Sequence, residues 1–497
     1  MLKIPQKYFK FILLILIWLA FFLKAVISLD PDFGWHLKMG ELILSSGIPK
    51  TDPFSYSMPS YPFVDHEWLS GVIFSLLYPL TQSYLLGVIY ASFAFFALLI
   101  IIPSLSFTNL SIMLLSASVL LPFSGIRPQV ISWFLFSLFL RLIFDQKLKN
   151  YRLILPLIFL VWANLHGGFV IALLVFLGWI FYCIFQDKKV NFLNILILVL
   201  SIVATLINPY NFRLWKEIWI TISDQSLRST IAEWIPIILR FDITFLTLAT
   251  LSSFLIIKFW KKLNFYLVIL YSLLLVMTLT SQRNAPFWTI LALSLTIESL
   301  NLLKLDVSKI KYGIKRLNIL GKIFFIICLL IFVFQTVYFL NRAQISSEEK
   351  FYPKQAINFL KIHQVKGNLF SPYAWGGYLI WKLPETKLFI DGRMPSWKNT
   401  NSPSNEETNA YKKYREIVYD KGDFEKLAQK YQIKTVLWFK PTPKTPPTLA
   451  DIYLQKLEEL FNQPIDNLGD DYFIKNLLVG HWKLVYQDQI AVIYQKN

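Results

Sequence analysis

The chain has 497 residues, 55% hydrophobic and 17% aromatic, with 49 Lys and Arg against 31 Asp and Glu and a formal charge of +18. Its mean hydropathy of +0.49 leaves too little polar surface to clothe a water-soluble globule, which excludes an ordinary soluble domain. The basic residues sit in short turns between apolar runs, as in cytoplasmic loops of membrane proteins, and not on a basic face with interleaved aromatics, which argues against a nucleic-acid module. Cys183 and Cys328 both lie within apolar runs and give neither a disulfide framework nor a zinc spacing.

The first apolar run, 9–29, contains only Lys24 as a charge beyond Lys10 at its start, and is long enough to cross a bilayer at about 20 residues per span. Asp30-Pro31-Asp32 follows it where a small-residue cleavage site would stand in a signal peptide, so the run reads as an uncleaved span. Lys3, Lys7 and Lys10 stand before and at its start and predict a cytoplasmic N-terminus. A long loop, 29–69, comes next and gathers Asp30, Asp32, His36, Glu41, Asp52, Asp65, His66 and Glu67 among prolines and glycines. Plain connectors are shorter, so a loop of this length and composition points to binding or catalysis. Segment 67–80 is apolar but only about 21 Å long as a helix, which suits a re-entrant or interfacial element better than a crossing.

Further apolar runs fall at 83–103, 109–123, 128–144, 152–164, 168–186, 192–208, 242–258, 264–280, 285–303 and 319–340. If each crosses and 67–80 does not, Arg141, Lys147, Lys149, Arg152, Lys188, Lys189, Lys258, Lys261, Lys262, Lys304, Lys311, Lys315, Arg316 and Lys322 all face the cytoplasm. The opposite parity puts nearly every basic turn outside. The expectation is therefore an α-helical polytopic membrane protein with about 11 transmembrane helices, a re-entrant or interfacial helix, and a C-terminal α/β domain outside. The first part, 1–345, would hold the catalytic loop 29–69, and 346–497 would form the soluble extracytoplasmic domain. In that tail, Tyr352–His363, Tyr411–Val418 and Phe424–Tyr431 predict helices. Leu369–Phe370, Tyr378–Trp381, Lys387–Ile390 and Thr435–Phe439 predict strands, and Trp482–Tyr486 with Ile490–Tyr494 a terminal hairpin. Apart from the Lys440–Thr448 turn there is no low-complexity tract.

Asp30 and Asp32 stand where the first span meets the outer interface. An i, i+2 pair can direct two carboxylates to one ligand or divide the roles of base and orienting group. Asp-Pro-Asp is also common turn chemistry. Trp35-His36 beside it, and Asp65-His66-Glu67-Trp68 at the end of the same loop, favour the functional reading, although Asp65 and Glu67 also suit a helix start. A divalent cation would find donors in Asp30, Asp32 and His36, but the spacing matches no closed zinc site. On the outer side Arg127 and Arg283 can anchor at lipid headgroups by snorkelling or clamp a lipid-linked phosphate with a fork of donors. Asn164 and His166, before Gly167-Gly168, place an ionisable group near membrane depth. Asn208-Pro209-Tyr210, Arg213 and Glu233-Trp234 read as mostly structural, Asp391-Gly392-Arg393 as a turn, and Trp375-Gly376-Gly377-Tyr378 as a bulge or, less well, a sugar-stacking surface.

The order of these pieces resembles bacterial GT-C-type polytopic membrane glycosyltransferases, in particular a largely uncharacterised branch. It is carried by Asp30-Pro31-Asp32, Trp35-His36-Leu37, Gly40, Asp52-Pro53-Phe54-Ser55, His66-Glu67-Trp68-Leu69, Arg127-Pro128-Gln129, Trp162 to Gly168, Asn208-Pro209-Tyr210, Glu233-Trp234, Arg283-Asn284, Trp375 to Tyr378 and Asp391-Gly392-Arg393. The resemblance spans nearly the whole chain. It implies transfer of a sugar from a polyprenyl-phosphate carrier to a lipid, glycan or protein acceptor at the outer face of the cell membrane, with inversion. It also implies an aspartate of the first outer loop as base: Asp30 or Asp32, with Asp32 preferred because Trp35 and His36 follow it. His36, His66, Glu67, Arg127, Asn164, His166 and Arg283 become candidates for binding substrate. Metal use varies within the family. Two other classes remain open: a lipid or glycan transporter or flippase, and a surface-polysaccharide polymerase or ligase. Charges clustered in outer loops and the absence of paired broken helices weigh against the transporter, and the early position of the polar loop weighs against the polymerase.

Overall fold

The computed structural model describes residues 6–188, 190–224, 227–240, 242–307, 313–420, 422–441 and 469–496. Lys3, Lys189, Lys311 and most of the Lys440–Thr448 turn lie outside these residues. The chain divides into two compact units, one of Met1–Ile27, Thr81–Asn211 and Ala232–Ala343, the other of Ser28–Leu80, Phe212–Ile231 and Gln344–Asn497.

The first unit is a bundle of apolar helices. Each of the eleven expected runs falls on a helix, from Gln6–Ile27 and Ser83–Leu99 to Ala285–Val307 and Gly313–Ile345. Among the described residues five helices are by themselves long and apolar enough to cross a membrane, and shorter apolar helices of 10–17 residues accompany them. Side-chain caps set several starts. Asp242 accepts from the backbone N–H of Thr244 at 2.9 Å and of Phe245 at 3.1 Å, and Asn264 accepts from that of Leu267 at 3.3 Å. Such caps satisfy donors that hydrocarbon could not. The Gln282–Asp306 span is 67% buried and central, whereas Ile319–Ile345 is 17% buried and peripheral. Phe185, Phe192, Ile257 and Phe334 are exposed on the bundle surface, an arrangement that suits lipid and not water.

The second unit gathers three separate stretches of sequence. Strands β1 (Asn368–Phe370), β2 (Ile433–Phe439), β3 (Lys483–Gln487) and β4 (Ala491–Gln495) form one sheet in the order β1-β2-β4-β3. β1 runs parallel to β2, and the other neighbours are antiparallel, with Leu437 opposite Ile493 and Phe370 opposite Val436. The expected helices of the tail are present at Lys354–His363, Ala410–Tyr419 and Phe424–Tyr431. Two expected strands are not. Gly376–Lys382 is a helix because it must lie close against the helix Phe33–Ser46: a Cβ on Gly34 would stand 2.2 Å from the Gly377 carbonyl oxygen. Residues 387–390 make only isolated bridges, through Leu388 to Ser55 and to Leu369.

The loop that the sequence groups with the membrane helices thus packs with the C-terminal segment. The reason is its apolar content. Met58, Tyr61 and Phe63 are buried in the same core as Phe370, Trp397, Trp438 and Phe473, and Tyr61 stacks on Trp397 at 4.3 Å. Backbone bonds join the two segments, Tyr56 N–H to Leu388 O and Leu388 N–H to Phe54 O, each 2.9 Å. At the centre the buried Arg393 guanidinium donates to Asp391 at 2.8 and 2.7 Å and meets Asp52 Oδ1 at 2.8 Å. Asp52 in turn accepts from the N–H groups of Phe54 and Ser55.

Removing Arg393 leaves two buried carboxylates without their cation, so Arg393→Ala should destabilise this unit by about 3–5 kcal/mol. Arg393→Lys should recover only part, since an ammonium cannot serve both carboxylates through a planar fork. Amide exchange at 52–57 and 388–394, followed with the thermal transition, checks this. Unchanged protection in Arg393→Ala would show that the ion cluster does not hold the segments together.

Candidate functional site

In the first unit a cavity of about 330 Å³ opens at the starts of the helices Gln129–Phe144 and Ala285–Val307. Arg127, Arg240 and Arg283 line it together with Gln129, His166, Glu233 and Gln282. Glu233 lies between two arginines, paired through Oε1 with Arg127 and through Oε2 with Arg283 Nη1 at 3.8 Å. Gln129, with its amide oxygen turned to Arg127, accepts from Nη2 at 3.1 Å and Nε at 3.0 Å. Arg240 donates to Gln282 Oε1 at 2.8 Å and lies over Phe123, while Arg283 lies over Trp234 at 5.0 Å. Arg127 and Arg283 are therefore held in place by protein groups, where simple snorkelling would leave them extended to the headgroups.

His166 is oriented by a chain of donors. Trp162 Nε1–H donates to Ser132 Oγ at 2.7 Å, Ser132 Oγ lies 2.7 Å from His166 Nδ1, and Gly168 N–H donates to the same Nδ1 at 2.9 Å. An Nδ1 that accepts from Gly168 holds no proton, so the neutral ring carries its proton on Nε2 and acts there as a donor. Asn164 does not line the cavity; its amide donates to the carbonyls of Leu160 at 2.8 Å and Ile207 at 3.0 Å and braces the turn.

The carboxylates of the acidic loop lie in the second unit, in two groups. Asp30 Oδ1 accepts from the Asp32 N–H at 2.9 Å, and Asp32 Oδ1 accepts from Trp35 Nε1–H at 2.9 Å. Both residues are half-buried. A Cβ on Gly392 would stand 2.0 Å from Asp32 Oδ1, so the glycine makes the space that this carboxylate fills. The second group centres on His36, whose Nε2 meets Glu67 Oε2 at 3.1 Å, with His66 Nε2 3.7 Å from Glu67 Oε1. Asp65 Oδ1 accepts from the Glu67 N–H at 2.9 Å, as a residue opening the helix Trp68–Thr81 would. Glu217, from the helix Phe212–Ser223, is buried near them; burial pushes its pKa up against the pull of His66, Arg213 and Lys216.

This arrangement does not suit a metal in the expected set. Asp30, Asp32 and His36 do not converge, because His36 turns Nε2 to Glu67 while Asp32 faces Trp35 and Gly392. Among the described residues no group of three or more His, Cys, Asp or Glu is placed to hold an ion. The tail motifs are structural. Trp375 is fully buried with its Nε1–H on Phe351 O, Tyr378 donates to Glu348 at 2.9 Å, and Arg393 is occupied by Asp52 and Asp391. Arg240, Ser132, Gln282 and Glu217 carry no sequence signal of their own, and only the fold brings them to these groups.

Burial opposes a charge on His36, but the hydrogen bond and charge of Glu67, with the fields of Asp65 and Asp32, outweigh it and raise the pKa above the ordinary 6.5. Folding then favours proton uptake. The contribution is complete below the free-imidazole value and is lost as pH rises through the higher folded value. Burial likewise pushes Asp65 up, so its contribution also declines as pH rises above the ordinary carboxylate value. The melting temperature measured between about pH 5 and 9 should fall across the interval above 6.5, and His36→Gln should flatten that fall. An unchanged slope in the variant would assign the transition to another group.

No family model and no curated relative matches the chain. Solved structures do. The archaeal oligosaccharyltransferase AglB from Archaeoglobus fulgidus, in complex with an inhibitory peptide and a dolichol-phosphate, is similar at a TM-score of 0.53 and 12% identity, over 87% of this chain and 70% of that one. ArnT from Cupriavidus metallidurans, bound to undecaprenyl phosphate, is similar at 0.50 and 10% identity, over 99% of this chain and 98% of that one. These likenesses show a shared fold, a polytopic bundle of apolar helices with several long enough to cross a membrane.

Proposed function

We propose that this protein is a membrane glycosyltransferase that moves a sugar from a polyprenyl-phosphate carrier to a hydroxyl of a lipid, glycan or protein, with inversion, at the outer face of the membrane. The observation that carries this reading is the cavity in the helical unit, where Arg127, Arg240 and Arg283 converge with His166 in the wall. Three guanidinium groups beside one carboxylate leave positive charge for an anion, and planar forks suit a phosphate. The carriers in the AglB and ArnT structures, dolichol-phosphate and undecaprenyl phosphate, support that class of ligand. The outer face is supported by charge: the helix Gln129–Phe144 begins beside the cavity and has Arg141 in its last turn, and Ile243–Phe259 has Lys258 in its last turn with Lys261 and Lys262 just after it.

In the proposed reaction the acceptor oxygen attacks the anomeric carbon opposite the phosphate and loses its proton to Asp32, with Asp30 as the alternative base. The new C–O bond forms as the anomeric carbon–phosphate oxygen bond breaks, and the carrier leaves as a phosphate monoester. Its growing charge needs cations and hydrogen-bond donors, not a strong acid, and the arginines and His166 supply them.

Purified protein in lipid, given a panel of polyprenyl-phosphate sugars and mixed acceptors, should consume carrier-linked sugar. Asp32→Asn should lower turnover by about 10²-fold or more and Arg127→Ala by roughly 10²–10³-fold. If donor binds but Asp30→Asn and Asp32→Asn both turn over normally, the base lies elsewhere. Movement of intact sugar-carrier across a vesicle without transfer would replace this reading with transport.

Gly392→Ala gives an independent check, since its methyl must displace the Asp32 carboxylate. It should lower turnover toward the Asp32→Asn value while donor binding holds. Full activity in that variant would mean that the position of Asp32 is immaterial.

A further inference from the structure

Among the described residues Glu233 is the one carboxylate lining the arginine cavity, and it takes the place between Arg127 and Arg283 where an anion would be held. A carboxylate there weakens the site for any phosphate, so it calls for a reason beyond fixing two side chains, which Gln129 and Trp234 already contact. The charges of the two carrier forms supply one. The sugar-linked carrier is a phosphodiester with a single negative charge, whereas the spent carrier is a monoester that approaches two at neutral pH. Repulsion from a fixed carboxylate scales with the charge on the ligand, so it penalises the monoester about twice as much.

We infer that Glu233 is a specificity-determining counter-charge that equalises the cavity's hold on the phosphodiester donor and the phosphomonoester product, so that spent carrier leaves. This rests on the phosphate-carrier reading of the cavity. A pocket of three arginines alone would favour the dianion and fill with product. With Glu233 present, the surplus falls from three positive charges to two and the dianion's electrostatic advantage falls with it. The side chain is half-buried at the cavity wall, within reach of the bound phosphate's field without having to contact it.

The experiment is binding of polyprenyl phosphate and of its methyl phosphodiester to the detergent-purified full chain, which differ by one ionisation at the same lipid. Wild type should bind the two within a few-fold. Glu233→Gln should tighten the monoester on the order of tenfold more than the diester, with stronger product inhibition in transfer assays. Glu233→Asp keeps the charge and should keep the wild-type ratio. A wild type that already prefers the monoester tenfold or more overturns the inference, as does an equal shift of both ligands in Glu233→Gln, while the carrier reading stands. Binding of neither ligand by wild type removes the carrier reading, and this inference with it.

Discussion

The pairing of Arg393 with Asp52 and Asp391 is the constraint on which the second unit depends. The three residues are buried, and the guanidinium lies over Phe54, Phe63 and Trp397 at 4.9, 5.0 and 5.2 Å. Burial works against the charge on Arg393, but the two carboxylates reverse the balance and hold the guanidinium firmly protonated. A buried ion cluster of this kind contributes little net stability beside an apolar replacement, yet it fixes register, because a shift of either segment would strand a charge. It joins residues more than three hundred positions apart in sequence, and so fixes the first loop against the tail.

The membrane unit uses the same groups in the opposite proportion. In the Arg393 cluster two carboxylates saturate one arginine, and no positive charge is left for an anion. In the helical cavity three arginines meet one lining carboxylate, and the excess is positive. Arginine, Asp and Glu thus build a structural pin in one unit and a candidate anion site in the other. The difference lies in stoichiometry and enclosure, not in residue type.

The sequence exposes the part of this that is written in periodicity and composition. Apolar run lengths give the helices, and the acidic loop stands out against them. Arg127, His166 and Arg283, each weak alone, do share one cavity. What stays hidden depends on contact between distant segments. Asp391-Gly392-Arg393 reads as a turn because nothing local shows Asp52 arriving to complete it. Gly376-Gly377 reads as a bulge because glycine is costly in a helix, and only the close approach of Gly34 makes a helix with glycines the better solution. Glu233 reads as structural until Arg127 and Arg283 are found on either side of it.

Access and space bear on which loop carboxylate can take a proton from an acceptor. Asp65 and Glu67 are buried, and the helix start and the imidazole of His36 engage them. Asp30 and Asp32 are half-buried and reachable. Asp30 Oδ1 serves the turn by accepting a backbone N–H, a job any turn aspartate does. Asp32 is treated differently: an indole N–H orients it, and the chain places a glycine at 392, between the two residues of the buried ion cluster, where a Cβ would collide with its oxygen. Glycine there loses backbone entropy that any other residue would spare. The fold accepts that loss at the point where the rigid ion cluster meets Asp32, which favours Asp32 over Asp30 as the base in the proposed transfer.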